Sequence, residues 1–257
     1  MTRVIGIISG KGGVGKTTLV ANLGSVMAQK FKKEVIVIDC NVSTSHLGLY
    51  LGMYYTPVTL NQVLTGDADI EEAIYQYHIS GLRVIPASLS FSDMKGVDIA
   101  KLKGAIKKLF GKADIILLDA APGLGREAIA TVKASDEVIF VNTPFVPSTM
   151  DIIKCHQVAN EMGIRPLGVV LNMVGNDRYE LTKKEVEDLI ELPVISTIPV
   201  DKNVLRSLAL KMPVVLFSPN SSSSREFVRL AAKILGEEEG EPQGVFYSFM
   251  KLFRGKK

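Results

Sequence analysis

Gly10-Lys11-Gly12-Gly13-Val14-Gly15-Lys16-Thr17-Thr18 is the stretch on which the reading of this chain turns. It fits the pattern G-x-x-x-x-G-K-[ST] and carries a second lysine, Lys11, five residues ahead of Lys16. The apolar run Val4–Ile8 before it reads as a strand and Thr17–Gln29 after it as a helix, so strand, loop and helix stand in the order that a phosphate-binding loop requires. Gly10, Gly12, Gly13 and Gly15 let the backbone approach a polyphosphate, with Val14 and Thr18 completing the cradle. Consecutive N–H groups and the helix N-terminus supply the positive potential. Lys16 is expected at the β- and γ-phosphates of a nucleotide and Thr17 at Mg2+. Lys11 has no part in that general scheme.

Outward from this loop, short apolar runs alternate with helical segments. The runs are Val4–Ile8, Val35–Ile38, Leu82–Ile85, Asp114–Leu118, Glu137–Val141, Leu167–Leu171 and Val194–Ile198. Nearly continuous apolar strands imply burial on both faces. The helices Thr17–Gln29, Asp98–Leu109, Thr149–Met162 and Thr182–Ile190 between them predict one α/β domain, a doubly wound, mostly parallel sheet with helices on both faces. Ligands of such sheets lie beyond the strand C-termini, and Gly10, Asp39, Asp119 and Asn172 all fall at or just after a strand end. Ile115-Ile-Leu-Leu-Asp119 is an apolar strand with a carboxylate at its exit, placed as a second magnesium residue or, more plainly, as a turn residue.

Composition narrows the classes further. A net charge of +3 over 257 residues is too small a basic excess to declare nucleic-acid binding. Cys40 and Cys155 are isolated, which indicates neither a disulfide framework nor a metal or iron–sulfur site, and fits reduced thiols in a cytoplasmic protein. The start MTRVIGIIS lacks a signal-peptide layout, and no apolar run approaches the ~18 residues of a spanning helix, so a soluble or peripheral protein is expected. His46, His78 and His156 lack metal-ligand spacing and read as structural or surface residues. The serine run Ser221–Ser224 reads as a loop and helix N-cap, and Tyr50, Tyr54 and Tyr55 as packing or surface residues.

Lys11-Gly-Gly-Val-Gly-Lys-Thr-Thr18 resembles the signature of the deviant-Walker P-loop ATPases that include MinD, ParA and the nitrogenase iron protein. The resemblance covers nearly all of residues 1–236. Thr59-Leu-Asn-Gln-Val-Leu-Thr-Gly66 and Glu72-Ala-Ile-Tyr75 look like the archaeal branch of MinD. It implies an ATPase that cycles ATP and ADP with Mg2+ and forms a homodimer when ATP-bound, Lys11 reaching the phosphates in the partner's site. It further implies that Thr17, Asp39 and Asp119 serve the metal, that Gly123 is the backbone sensor of the γ-phosphate, and that Asn172 contacts adenine beside Pro199, Val200 and Asp201. One departure stands out. MinD-like proteins carry D-x-D after the second strand, whereas this chain reads Asp39-Cys40-Asn41. Asn41 can position a water by hydrogen bonding but cannot accept a proton as a carboxylate does, so slow hydrolysis is expected.

Residues 237–244 are acidic and rich in Gly and Pro, and read as a flexible linker ending the core. In 245–257, Val245, Phe246, Phe249, Met250, Leu252 and Phe253 follow helical spacing, with Lys251, Arg254, Lys256 and Lys257 beside them. That pattern predicts an interfacial helix for an anionic membrane surface, weak in one copy and stronger in two. A helix docked on the protein's own core is the plainer alternative. The expected function is a MinD-like ATPase peripherally bound at the inner face of the cell membrane, positioning a partner or responding to a protein activator in division or cell organisation. A ParA-like protein that partitions DNA or cargo is the alternative, which the aromatic tail disfavours. A redox or metal-delivery relative is disfavoured by the missing cysteine cluster.

Overall fold

A computed structural model describes residues 2–175 and 177–238. The linker beyond 238 and the tail 245–257 lie outside the described residues. The strands are β1 (Arg3–Ile8), β2 (Val35–Asp39), β3 (Tyr75–Tyr77), β4 (Leu82–Ile85), β5 (Ile115–Asp119), β6 (Glu137–Asn142), β7 (Arg165–Val174) and β8 (Val194–Pro199). They form an eight-stranded sheet in the order β3-β4-β2-β5-β1-β6-β7-β8. Every neighbouring pair is parallel except β3 with β4. The helices are α1 (Lys16–Gln29), α2 (Leu47–Tyr50), α3 (Leu60–Thr65), α4 (Leu102–Lys107), α5 (Arg126–Ala134), α6 (Val146–Glu161), α7 (Lys183–Ile190), α8 (Lys202–Ala209), α9 (Val214–Phe217) and α10 (Ser222–Leu235).

Alternation along each strand divides its side chains between the two faces. Ile5, Ile7, Val37 and Leu117 pack on Leu19, Leu23 and Met27 of α1 and on Phe227 and Leu230 of α10. Val4, Ile36, Ile38, Ile116 and Leu118 face the other way, against α3 and α4. On that same side Ile8, Val138, Phe140 and Leu171 meet Ile152 of α6 and Val186 and Ile190 of α7. Burying each such aliphatic side chain contributes about 1.5–3 kcal/mol, and it is this double coverage that makes the strands read as unbroken apolar runs.

The expected strands all form, and β7 is longer at both ends than Leu167–Leu171. The three-residue strand β3 was not anticipated. Tyr75-Gln-Tyr77 offers no apolar run, and antiparallel pairing with Leu82–Val84 brings it into the sheet edge. The helix expected over 98–109 divides into a 3-10 turn, Ile99–Lys101, and α4. Asp98 accepts a hydrogen bond from the Ala100 N–H and starts the tighter turn locally. Helix α6 begins at Val146, earlier than Thr149, with a proline in its first turn, where the missing N–H costs nothing. The serine run caps α10 as expected, Ser221 Oγ accepting from the Ser224 N–H.

Gly168 sits where β7 shifts register against β6, at φ +141°, and an added Cβ would lie 2.5 Å from the Pro193 carbonyl oxygen. Gly104, inside α4, has open space around the same position. Gly168→Ala should lose about 1–3 kcal/mol in urea unfolding, whereas Gly104→Ala should gain about 0.5–1 kcal/mol. Equal effects of the two changes would refute this account of the β7 register shift.

Candidate nucleotide-binding site

The loop after β1 lies at the C-terminal edge of the sheet, where β2, β5 and β1 end side by side with Ile7 opposite Asp119 and Asp119 opposite Asp39. Two glycines are there because other chain segments occupy the space of a side chain. A Cβ on Gly15, at φ +96°, would meet Asn172 Nδ2 at 2.3 Å, and one on Gly10 would meet Asp151 Cβ at 2.2 Å. Gly15 also starts α1, leaving the helix's first N–H groups uncapped by any side chain. They point into the loop as an anion-binding end.

Lys16 is buried, and its Nζ donates to Ser9 Oγ at 2.7 Å, which in turn donates to the Lys11 carbonyl oxygen at 2.7 Å. Burial lowers the Lys16 ammonium below its ordinary range, with the Asp119 charge acting against it. Sequence reasoning did not single out Ser9. The only signal was a hydroxyl residue between the strand and Gly10. Lys11 is half-buried, and its Nζ makes no hydrogen bond or ion pair among the described residues. The loop thus holds one lysine inward and one uncommitted at its rim.

Thr17 Oγ1 donates to Asp119 Oδ2 at 2.6 Å. The second carboxylate oxygen, Asp119 Oδ1, is buried with no hydrogen-bond partner among the described residues. A buried carboxylate oxygen without a donor, beside a threonine hydroxyl, is the hard-oxygen set that Mg2+ takes, the remaining ligands coming from phosphate and water. The residues present fit the ion. Burial and the neighbouring Asp39 charge both raise the Asp119 carboxyl, so a cation there relieves a real electrostatic cost.

Asp39 is fully committed within the chain. Its Oδ1 accepts from the Asn41 N–H at 3.1 Å, and its Oδ2 from Ser45 Oγ at 2.8 Å and the His46 and Leu47 N–H groups at 3.1 Å. It thereby anchors the loop 41–47 and the start of α2. Asn41 closes on Thr44, its Nδ2 donating to the Thr44 carbonyl at 2.8 Å and its Oδ1 accepting from Thr44 Oγ1 at 3.0 Å. The Gly123 N–H donates to the Ser9 carbonyl at 2.9 Å, so the stretch after β5 rests directly on the phosphate loop.

The structure brings Gly10, Lys16, Thr17, Asp39, Asp119, Gly123 and Asn172 to this one edge. Asn172 Nδ2 donates to the Val14 carbonyl oxygen at 2.8 Å, a buried bond between the end of β7 and the loop. Beyond β8, the Val200 N–H donates to the Val174 carbonyl, and the Val200 side chain is exposed. Asp201 caps α8 and ties it to α10, accepting from the Asn203 N–H at 2.8 Å and Ser223 Oγ at 2.7 Å. Burial alone would raise the Asp201 carboxyl, but these hydrogen bonds hold it well below the usual carboxylate range. Among the described residues no cluster of three His, Cys, Asp or Glu gathers as a metal centre, and Cys40 and Cys155 are buried and free.

Comparison with known proteins agrees with this geometry. The sequence pattern of the CobQ/CobB/MinD/ParA nucleotide binding domain matches residues 5–214. An uncharacterised ATP-binding protein of Methanocaldococcus jannaschii is 36% identical over 236 residues, spanning 92% of this chain and 89% of that protein. The crystal structure of the Pyrococcus furiosus cell division ATPase MinD superposes with a TM-score of 0.89 at 33% identity, covering 92% of this chain and 99% of that one. The septum site-determining protein MinD of Pyrococcus horikoshii, complexed with Mg-ADP, gives 0.89 at 31% identity over 94% and 100%. The chain belongs to the CobQ/CobB/MinD/ParA nucleotide-binding family and is a MinD/ParA-type ATPase that works with ATP, ADP and Mg2+.

Proposed function

We propose that this chain is a MinD-like ATPase that pairs with a second copy when ATP is bound, binds an anionic membrane surface through residues 245–257, and positions a protein partner at the inner face of the membrane. The observation that carries the reading is Lys11, an ammonium at the rim of the phosphate loop with no partner among the described residues. A charge held there by the loop suits the phosphates of a facing copy. It also explains why the loop carries two lysines when Lys16 already serves the chain's own site.

In this reading the loop N–H groups and the start of α1 bind the phosphates, and Lys16 leaves Ser9 to reach them. Thr17 and Asp119 hold Mg2+, which when bound neutralises charge on the β- and γ-phosphate oxygens. Asp39 acts by fixing the loop that carries Asn41 and by keeping negative field on Asp119. Gly123, now hydrogen-bonded to Ser9, senses the γ-phosphate, and Asn172 with the 199–201 turn sits towards the base. Asn41 positions the attacking water, for which its amide has to leave Thr44. An amide positions without accepting a proton, so the ATP-bound pair is long-lived.

Asn41→Asp should raise ATP turnover roughly a hundredfold or more, the range that general-base assistance supplies, as read by steady-state phosphate release. Equal rates in the two proteins would remove residue 41 from the hydrolytic step. Lys11→Ala should keep ATP affinity yet lose the ATP-dependent dimer in size-exclusion chromatography with light scattering. Persistence of that dimer would show that the rim lysine faces solvent only. Co-sedimentation with anionic liposomes tests the membrane: full-length protein should pellet more with ATP than with ADP, and a chain ending at Gly244 in neither state. Pelleting that survives the truncation would overturn the role of the tail, and steep, salt-sensitive DNA binding in its place would favour the partitioning alternative.

A further inference from the structure

At the end of the sheet opposite the nucleotide site, Thr2, Glu34 and Phe110–Asp114 enclose a groove of about 330 Å3. It is a built feature. Thr2 Oγ1 donates to the Ala113 carbonyl at 2.6 Å and accepts from the Gly111 N–H at 2.9 Å, holding the 110–113 turn against the start of β1. Phe110 is left 48% exposed on its wall. Glu34 and Asp114 form an acidic lip, joined by the Glu34 N–H donating to Asp114 Oδ2 at 2.8 Å. Three cations beside it are paired: Arg83 with Glu34 itself at 3.0 Å, Lys112 with Glu71 at 2.5 Å and Lys33 with Glu237 at 2.6 Å.

That last pair brings the end of the described chain to the groove. Gly236 turns the chain at φ +68° as α10 ends, and Glu237 then rests on Lys33, the residue next to Glu34. We infer that the groove formed by Thr2, Glu34 and Phe110–Asp114 is the docking site of this chain's own residues 245–257 when they are off the membrane. The apolar side chains of the segment would lie on Phe110 and its basic residues on Asp114, and on Glu34 in place of Arg83. This rests on the reading of 245–257 as a membrane-binding segment.

The eight Cα-to-Cα steps from Glu238 to Phe246 span on the order of 15 Å as a coil and about 26 Å extended, enough to fold back into the groove. A tether of that length gives effective concentrations in the millimolar range, so a contact too weak to survive between separate molecules holds within one. Docking and membrane compete for the same apolar side chains. A groove that holds nine-tenths of the tails lowers apparent vesicle affinity about tenfold, and pairing of two copies restores it by avidity.

The test uses full-length protein carrying Ser248→Cys, labelled with an environment-sensitive dye, since Cys40 and Cys155 are both buried. Without vesicles, the dye should report an apolar environment that is independent of protein concentration. Phe110→Asp and Glu34→Lys should abolish it and Phe110→Leu should preserve it, with Mg-ADP binding confirming the fold of each. On anionic vesicles with ADP, Phe110→Asp should bind several-fold more than the parent. Dye emission unaffected by Phe110→Asp and Glu34→Lys overturns the docking, whether or not vesicles bind. An apolar signal lost on dilution assigns the groove to a second copy and likewise overturns it. Groove-dependent emission without vesicle binding in any nucleotide state supports the docking and removes the membrane reading.

Discussion

The parallel register that sets Asp39 beside Asp119, at the buried ends of adjacent strands, places two carboxylates about one strand spacing apart where water does not reach. Two such charges are tolerated only if each is answered, and the surrounding structure divides that work. Asp39 is answered by donors from its own loop, three of them backbone N–H groups, so the segment 41–47 is folded around it. Asp119 is answered by the Thr17 hydroxyl on one oxygen and, at longer range, by the Lys16 ammonium, while its other oxygen has no donor among the described residues. The asymmetry leaves one carboxylate committed within the chain and the other with an oxygen unanswered among the described residues, although both read alike in the sequence.

The phosphate loop was fully legible because its glycines, lysine and threonine are consecutive and their chemistry is local. Asp119 was legible for a related reason, an apolar strand ending in a carboxylate. What was not legible depends on distant partners. Nothing in Val37-Ile-Asp39 says that Ser45, His46 and Leu47 converge on one oxygen, and nothing in Asn172 says that it reaches Val14. The β3 edge escaped because three residues of mixed polarity carry no periodic signal, and α5 and α8 because they are only nine and eight residues long. Ser9 escaped because a single hydroxyl gains its meaning only from the Lys16 ammonium beside it.

On the proposed reading, the second lysine of the loop and the asparagine after β2 act on different stages of one cycle. Lys11 concerns what faces the loop from outside, and Asn41 how fast the bound state decays. An amide locked to Thr44 is doubly restrained, by its chemistry and by the hydrogen bonds it must first give up. On that reading, a molecule acting as a timer at a surface would gain from a slow step that its own loop imposes and that a partner could relieve by reshaping that loop. The groove at the opposite edge of the sheet would add a second restraint if it docks the tail as inferred, on the tail rather than on the chemistry.

The hydrogen bond from Asn172 to Val14 links the place where a base would lie to the backbone that holds the phosphates. If Asn172 turns toward a base, the Val14 carbonyl loses a buried partner, at a cost of about 1–3 kcal/mol. A nucleoside would offer nothing to the loop in return, whereas a polyphosphate bound by the same loop's N–H groups would offset the loss. One amide contact would in that case screen ligands by whether they carry both ends of a nucleotide, and make the loop's own backbone part of its selectivity.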